Sequence, residues 1–204
     1  MAKVKLPRKS TAIDMTAMCD VAFLLLTFFM LTSNFTQKEA VMVNTPSSIS
    51  EIKIPERNIM TILVDPTGKV FFGIDGQDKR EALLKKMGEA YAIPFTDKEL
   101  KEFSLINSFG VPMEQMKNFL ALKPLDRDLK ENALGIPYDS TNNQFKNWVR
   151  FARAVNPQIR IAIKADQTTA YPVIKNIMNN LQDLNENRYN LITSLETSPE
   201  KITN

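Results

Sequence analysis

A single apolar segment near the start of the chain constrains its fold more than any other feature. Residues 15–35 contain 15 apolar residues among 21, with Asp20 as their one charged residue and with neither glycine nor proline. As a helix, 21 residues extend roughly 31 Å, which is enough to cross the hydrocarbon core of a bilayer. The segment therefore predicts one transmembrane helix within residues 13–35.

Basic residues precede this segment. Lys3, Lys5, Arg8 and Lys9 stand before the first acidic residue, and no comparable cluster follows directly after the apolar run. Because lysine and arginine accumulate on the cytoplasmic side of membrane helices, we expect residues 1–12 to be cytoplasmic and the bulk of the chain to lie opposite. A cleaved signal peptide is the alternative. A retained anchor is favoured because no small-residue cleavage site follows and an aspartate inside the run would weaken insertion.

Asp20 is not needed in a helix that serves only as an anchor. A charged side chain at depth costs about 2.5–3.5 kcal/mol on insertion scales, unless the carboxyl is protonated or meets a polar partner. At about 100° per residue, Thr16 and Asn34 lie about 40° from Asp20 around the helix, and Thr27 lies about 20° away. This polar stripe favours a protonatable carboxyl that faces a partner helix or a pore. The alternative is a tolerated charge near the cytoplasmic interface.

Composition excludes several classes of function. The chain has no histidine and one cysteine, Cys19, so one chain can form neither a Cys/His zinc site nor an internal disulfide. No nucleophile–base pair, phosphate loop or metal spacing is present, so we expect neither an enzyme nor a cofactor. After Phe35 the chain holds 22 basic and 21 acidic residues without a basic cluster, so we do not expect nucleic-acid binding.

The remainder begins with an extended segment and a hairpin. Residues 36–57 mix polar residues with two prolines and predict a linker, in which 51–54 is a candidate short strand. Two strands at 58–64 and 69–74 flank Asp65-Pro66-Thr67-Gly68, whose residue order suits a type I turn.

Hydrophobic spacing and capping signals predict the later elements. They are a helix at 78–91, a helix opened by the capping box of 96–99, a helix opened by Pro112, a helix at 141–154, a strand at 159–163, a helix with Pro172 in its first turn, and a strand at 188–195. Together they predict an α+β domain in which helices pack against a small sheet.

Four side-chain expectations accompany these elements. The charged run 123–131 should be a solvated face, and Lys164 and Asp166 should be turn and surface residues. Thr168 or Thr169 should cap the helix that contains Pro172. The Met and Phe stripe of 113–120 should face the core, with a groove for a partner as the alternative.

Two separate stretches resemble the ExbD/TolR family. Residues 13–30 (IDMTAMCDVAFLLLTFFM) are similar to that family's short Thr-containing lead, its Asp-Val pair and its Leu/Phe-rich helix. Residues 156–166 (NPQIRIAIKAD), with the helix at 171–181, are similar to its strand, its Ala-Asp turn and its final helix. Because both matches occur in the family's order, the resemblance is more specific than a lone membrane aspartate.

The resemblance implies a function. Family members are subunits of ion-driven motors in the inner membrane of Gram-negative bacteria. They sit as a dimer, of identical or paralogous chains, within a ring of ExbB/TolQ-type subunits, and they pass energy from the proton gradient to a TonB- or TolA-type protein. The family's proton-carrying carboxylate falls on Asp20. A passively anchored periplasmic module that binds a peptide or the cell wall is the alternative.

The resemblance also suggests a domain order and one departure from it. Relative to the family, residues 92–138 are expected to form an insertion with extra helices. The expected segments are a cytoplasmic N-terminus (1–12), the transmembrane helix (13–35), a periplasmic linker (36–57), a periplasmic α+β domain (58–196) and a tail (197–204).

Overall fold

The computed structural model describes residues 15–33, 43–48, 57–123, 126–127, 134–139, 141–192 and 194–195. The chain divides into two units, residues 1–37 and residues 38–204. The first unit contains the described helix α1 (Met15–Thr32). The second contains strands and helices in mixed order.

The elements of the second unit follow one another along the chain. They are β1 (Ser47–Ser48), β2 (Ile59–Val64), β3 (Val70–Ile74), α2 (Gln77–Tyr91), α3 (Asp97–Ser104), β4 (Ser108–Phe109), a short 3-10 turn (Met113–Gln115), α4 (Met116–Ala121), α5 (Gln144–Val155), β5 (Arg160–Ala165), α6 (Tyr171–Asp183), β6 (Tyr189–Leu191) and β7 (Ser194–Leu195). Helices pack on a mixed sheet, and an apolar helix precedes them. The predicted α+β class is therefore confirmed.

The predicted hairpin is present as β2 and β3. The Gly68 N–H donates to the Asp65 carbonyl at 3.0 Å, and Gly68 has φ +84°, a conformation that suits glycine. The Asp65 carboxylate accepts from the Thr67 hydroxyl and from the Lys69 N–H, each at 2.8 Å. The side chain of Asp65 therefore stabilises the turn that its position in the sequence predicts.

The main sheet contains strands from the early and the late part of the second unit. Its strand order is β4-β3-β2-β5-β6; β3 is antiparallel to its neighbours β2 and β4, whereas β2–β5 and β5–β6 are parallel. In the central pair Ile59 lies beside Arg160 and Val64 beside Ala165. Parallel neighbours require a crossover connection, which helices α2 to α5 supply between β2 and β5. A separate two-stranded sheet pairs β1 with β7 in parallel.

Strand alternation places one face of the sheet against the helices. The core side chains of the three central strands are Met60, Ile62, Val64, Val70, Phe72, Ile74, Ile161, Ile163 and Ala165. Helices α2, α5 and α6 add Leu83, Leu84, Met87, Phe145, Trp148, Val149, Ala152, Ile177 and Leu181. On the opposite face Leu63, Phe71 and Ala162 are also buried. Both faces of the central strands thus exclude water.

An aromatic cluster lies at the centre of this core. The Trp148 ring meets Phe109 edge-on at 4.7 Å between centroids and is stacked with Phe103 at 6.2 Å. Phe72 lies 6.0 Å from the same ring. The four side chains come from α5, α3, β4 and β3, so the cluster fixes the helices against one edge of the sheet.

Residues 92–138 contribute directly to that core. The predicted capping box is confirmed: the Thr96 hydroxyl accepts from the Glu99 N–H, and the Glu99 carboxylate accepts from the Thr96 N–H at 2.7 Å. The expected inward stripe is confirmed as well, by the burial of Met113, Met116, Phe119 and Leu120. Whether this segment is an insertion stays a prediction, but its described residues are integral to the domain.

The charged run 123–131 is not uniformly solvated. Arg127 is 7% exposed, and its guanidinium donates to the carbonyls of Leu120 at 2.7 Å and Leu122 at 2.9 Å. It also pairs with Glu102 at 3.0 Å. The expectation was wrong at Arg127 because its guanidinium donates to carbonyl groups at the end of α4. The last carbonyls of a helix have no N–H partner within the helix.

Two other expectations need correction. Neither Thr168 nor Thr169 caps α6: the N-cap is Ala170, while the Thr168 hydroxyl donates to Asp166 at 2.6 Å. Pro172 does lie in the first turn. Asp166 occupies a turn as expected but is only 5% exposed, so it is not a surface residue.

Several boundaries also differ from the expectations. The helix at 141–154 begins at Gln144, because the Asn143 side chain caps it by accepting from the Lys146 N–H at 3.0 Å. The single last strand expected at 188–195 is two strands, β6 and β7, in different sheets. The candidate strand at 51–54, Asn34 and the tail from residue 197 lie outside the described residues.

The aromatic cluster predicts a large stability effect at Trp148. We expect Trp148→Ala to lower the free energy of unfolding by about 3–5 kcal/mol, as for other aromatic-to-alanine changes in cores. Trp148→Phe should cost much less, because it keeps a ring and removes an indole N–H that has no hydrogen-bond partner among the described residues. Urea unfolding of the full chain in detergent, followed by circular dichroism, measures both; Arg150→Ala, on the exposed side of α5, is the control. Equal losses for the two Trp148 variants would contradict the packing role.

Candidate functional site

Helix α1 has the properties of a membrane-crossing segment. Its 18 residues have a mean hydropathy of 1.9, and none of them is buried. Its length is about 27 Å. Of the helices in the described part of the chain, α1 alone is long and apolar enough to cross a membrane. Large apolar side chains surround it and are exposed, including Phe23, Leu24, Leu25 and Phe29. Such a helix requires lipid or other helices around it.

Two hydroxyl groups of α1, those of Thr27 and Thr32, are satisfied by the helix's own backbone. The Thr27 hydroxyl donates to the Leu24 carbonyl at 2.9 Å, and the Thr32 hydroxyl donates to the Phe28 carbonyl at 2.8 Å. This local bonding lets threonine enter an apolar environment at low cost, because no hydrogen-bonding group is left bare.

Asp20 differs from these threonines. It is exposed on α1 and has no hydrogen bond or ion pair with any described residue. Since α1 is one continuous helix, Thr16 and Thr27 lie on the same side as Asp20. The structure thus places three of the four predicted stripe residues in one helix, whereas Asn34 lies outside the described residues. A carboxyl group within an apolar helix must receive a proton or a polar partner from outside this chain's described part.

A second site joins the segment after α1 to the main sheet. The Asn44 N–H donates to Oδ2 of Asp166 at 3.0 Å, and the Asn44 carbonyl accepts from the Gln167 N–H at 2.9 Å. A few residues later, β1 pairs with β7. We call these contacts of residues 44–48 with Asp166, Gln167 and β7 the linker clamp.

The Asp166 carboxylate is the acceptor at the centre of the linker clamp. Its Oδ1 accepts from the Thr168 hydroxyl at 2.6 Å and from the Thr168 N–H at 2.9 Å. Hydrogen bonds from the Thr168 hydroxyl and N–H, and to a lesser degree from the Asn44 N–H, stabilise the charged form and lower the pKa of Asp166 below its ordinary value of 3.8. Near neutral pH the carboxylate is therefore ionised and able to hold the linker.

Sequence reasoning missed the linker clamp, although one local signal for it exists. Asp166-Gln167-Thr168 repeats the Asp-x-Thr pattern of Asp65-Pro66-Thr67. In both, the aspartate follows a strand of the main sheet and accepts from the threonine hydroxyl two residues later. The pattern predicts an ordered turn at a strand end. The contact between Asp166 and Asn44 joins residues that are 122 positions apart in the sequence, so no local pattern predicts it.

The geometry carries no sign of a metal centre: among the described residues, no group of three or more His, Cys, Asp or Glu side chains could hold an ion. The arrangement instead combines an apolar helix with one unpaired carboxyl and a domain fastened to the segment after that helix. The sequence model of one family, described as biopolymer transport protein ExbD/TolR, matches residues 7–196. The chain belongs to the ExbD/TolR family. Comparisons with curated proteins and with solved structures gave no match.

Membership of the ExbD/TolR family confirms the resemblance seen in the two stretches of sequence and extends it across nearly the whole chain. The protein is a biopolymer-transport motor subunit, of a family whose members are not typically enzymes. ExbD/TolR proteins are anchored in the inner membrane by one N-terminal helix, to which α1 corresponds. They work with ExbB/TolQ-type and TonB/TolA-type partners.

The lowered pKa of Asp166 gives a pH-dependent prediction. Because the folded-state pKa lies below the ordinary value of 3.8, the stabilisation by this carboxylate is present above pH 3.8 and is lost as pH falls through the folded-state pKa. We expect Asp166→Asn to be less stable than the wild type near neutral pH, with a difference that shrinks below pH 3.8. Urea unfolding midpoints over this range measure the difference.

Asp78→Asn, an exposed change in α2, is the control for loss of one carboxyl charge outside the linker clamp. A stability difference between wild type and Asp166→Asn that stays constant down to the lowest pH would contradict the assigned role of the carboxylate.

Proposed function

We propose that the chain is the subunit of a proton-motive-force-driven motor in which Asp20 accepts and releases the translocated proton. The observation that carries the proposal is the position of Asp20: an unpaired carboxyl in the apolar helix α1 of an ExbD/TolR protein. An ionisable group kept in such a helix, despite its cost, marks an ion path by default. Thr16 and Thr27, on the same side of α1, would line this path together with Asn34.

The proposed setting follows from the same helix. The apolar surface of α1 is uncovered by any described residue, so ring subunits of the ExbB/TolQ type and a second ExbD-like chain would surround it. The second chain could be identical or paralogous. The basic residues before α1 favour a cytoplasmic N-terminus, which puts the α+β domain in the periplasm. In this arrangement Asp20 faces polar groups of the ring rather than lipid.

Coupling to the outer domain would run through the linker clamp. A change in the protonation of Asp20 alters which neighbours α1 prefers, and so moves or rotates the helix within its ring. Residues 44–48 are attached to Asp166, which directly follows strand β5 of the main sheet, and to β7 in the two-stranded sheet. Displacement of α1 would therefore act on the sheet rather than on a loose chain. The domain would deliver this force to a TonB- or TolA-like protein.

The first test is removal of the proton-binding group. We expect Asp20→Asn to assemble with its ring subunits but to reduce gradient-driven work to the level seen without a gradient, because an amide cannot carry a proton at neutral pH. Asp20→Glu should retain part of the activity. Co-purification of the ring measures assembly, and outer-membrane uptake or envelope integrity measures work.

A helix-swap chimera separates motor from anchor. If residues 15–35 are replaced by an unrelated apolar helix and the chimera still works, the chain is a passively anchored binding module. Normal function of assembled Asp20→Asn would lead to the same conclusion.

The second test concerns the polar stripe. Thr27 lies about 20° from Asp20 around α1, whereas Thr32 lies about 120° away. Both hydroxyls donate to carbonyls of the helix, so replacement by valine perturbs the helix similarly in each case. We expect Thr27→Val to reduce proton flux about two- to tenfold, because the loss of one ordinary hydrogen bond changes a rate by about this factor. We expect Thr32→Val to leave the flux unchanged. Proton uptake into vesicles containing the assembled complex measures the flux; equal effects would refute the stripe.

A further inference from the structure

A polar cavity lies at the edge of the second unit opposite the linker clamp. It has a volume of about 720 Å³ and opens where β5 and β6 begin, between the end of α5 and the turn after α6. This volume falls within the range of small-molecule sites. The lining is predominantly polar and includes three arginines, Arg153, Arg160 and Arg188, but one acidic residue, Glu186. Its charge is therefore net positive.

Arg153 is a structural part of the cavity wall. Its guanidinium pairs with the Glu186 carboxylate, with Nε 2.6 Å from Oε1. It also donates to the carbonyls of Pro157 at 2.8 Å and Ile159 at 2.7 Å. These bonds neutralise the charge of Arg153 and occupy its donors on three sides. Glu186, the one acid in the lining, is thereby committed to Arg153.

Arg160 and Arg188 have no such partners. Ile161 is paired with Tyr189 in the parallel strands β5 and β6, and the two arginines stand one residue earlier in each chain segment. Neighbouring strands are about 4.8 Å apart, so the backbone brings two arginines to neighbouring positions at the same edge of the sheet. Both side chains are exposed, and neither guanidinium has a hydrogen bond or ion pair with any described residue. Like charges placed opposite each other on adjacent strands are unfavourable unless an anion lies between them.

We infer that this cavity, which we call the arginine cavity, binds a ligand that carries at least two oxyanion groups, carboxylate or phosphate. The planar guanidinium fork binds either group through two parallel N–H donors. Two adjacent forks can bind two such groups of one ligand, while the volume exceeds what a single inorganic ion needs. The exposed amides of Gln158 and Asn187 in the lining provide further donors. The site is independent of the ion path through α1.

Binding of citrate and of pyrophosphate to the full chain in detergent tests the inference and separates the two oxyanions. We expect at least one of them to raise Tm above the value in sodium chloride of equal ionic strength, since a ligand that binds only the folded state stabilises it. Calorimetric titration should show that Arg160→Gln or Arg188→Gln weakens the affinity for the anion about tenfold or more. Each change removes a charge-assisted hydrogen bond, whose loss has an effect of this size. Arg150→Gln removes the same charge outside the cavity and should leave the affinity unchanged.

Stability without ligand provides a second readout. Because the two side chains carry like charges and have no hydrogen bond or ion pair with a described residue, Arg160→Gln and Arg188→Gln should leave Tm unchanged or raise it. A purely structural role would lower Tm instead. The inference is overturned if neither anion raises Tm beyond the salt control, if the cavity variants bind the anion as tightly as Arg150→Gln does, or if they lower Tm in the absence of ligand.

Discussion

The parallel pairing of β2 with β5 is the interaction on which the rest of the second unit depends. It joins segments about 100 residues apart and places Met60, Ile62, Ile161 and Ile163 on one face, against which the helices pack. Because parallel strands end at the same edge, Asp65 and Asp166 leave the sheet together, and the Asp166 N–H donates to the Val64 carbonyl at 3.1 Å. The linker clamp is built on this edge, and the arginine cavity lies at the opposite one. One pairing thus positions both features.

Helix α1 obeys a different constraint, because it has no such core. Its Thr27 and Thr32 hydroxyls donate to carbonyls of the helix backbone, and its apolar side chains need lipid or neighbouring helices. The Asp20 carboxyl has no hydrogen bond to a described residue, and as a polar group it is not stabilised by contact with lipid. A group with these properties is stable only where a proton or a polar partner reaches it, which is the chemical requirement of a proton carrier. Membership of the ExbD/TolR family places the chain in a transport motor, in which the proposed protonation of Asp20 would shift α1 between two arrangements.

Local signals predicted much of this molecule, and the misses that concern burial and strand pairing share one cause. The hairpin at Asp65–Gly68, the capping box at Thr96 and the apolar stripe of α4 were predictable because each depends on residues close in sequence. The burial of Arg127 and Asp166, and the division of the last strand between two sheets, depend on partners elsewhere in the chain. Hydrophobic spacing carries no information on which distant carbonyl or N–H a charged side chain will meet. Asp20 stood out from the sequence because a charge in an apolar run is a local anomaly.

The most direct measurement is the protonation state of Asp20 while the motor runs. Infrared difference spectroscopy of the complex in vesicles, with isotope-labelled aspartate, can follow the protonated carboxyl as the proton gradient is imposed and reversed. The account predicts a carboxyl band that rises and falls with the gradient and is absent from Asp20→Asn. A band that stays constant under both gradients, or one that persists in Asp20→Asn, would contradict the assignment of the proton carrier.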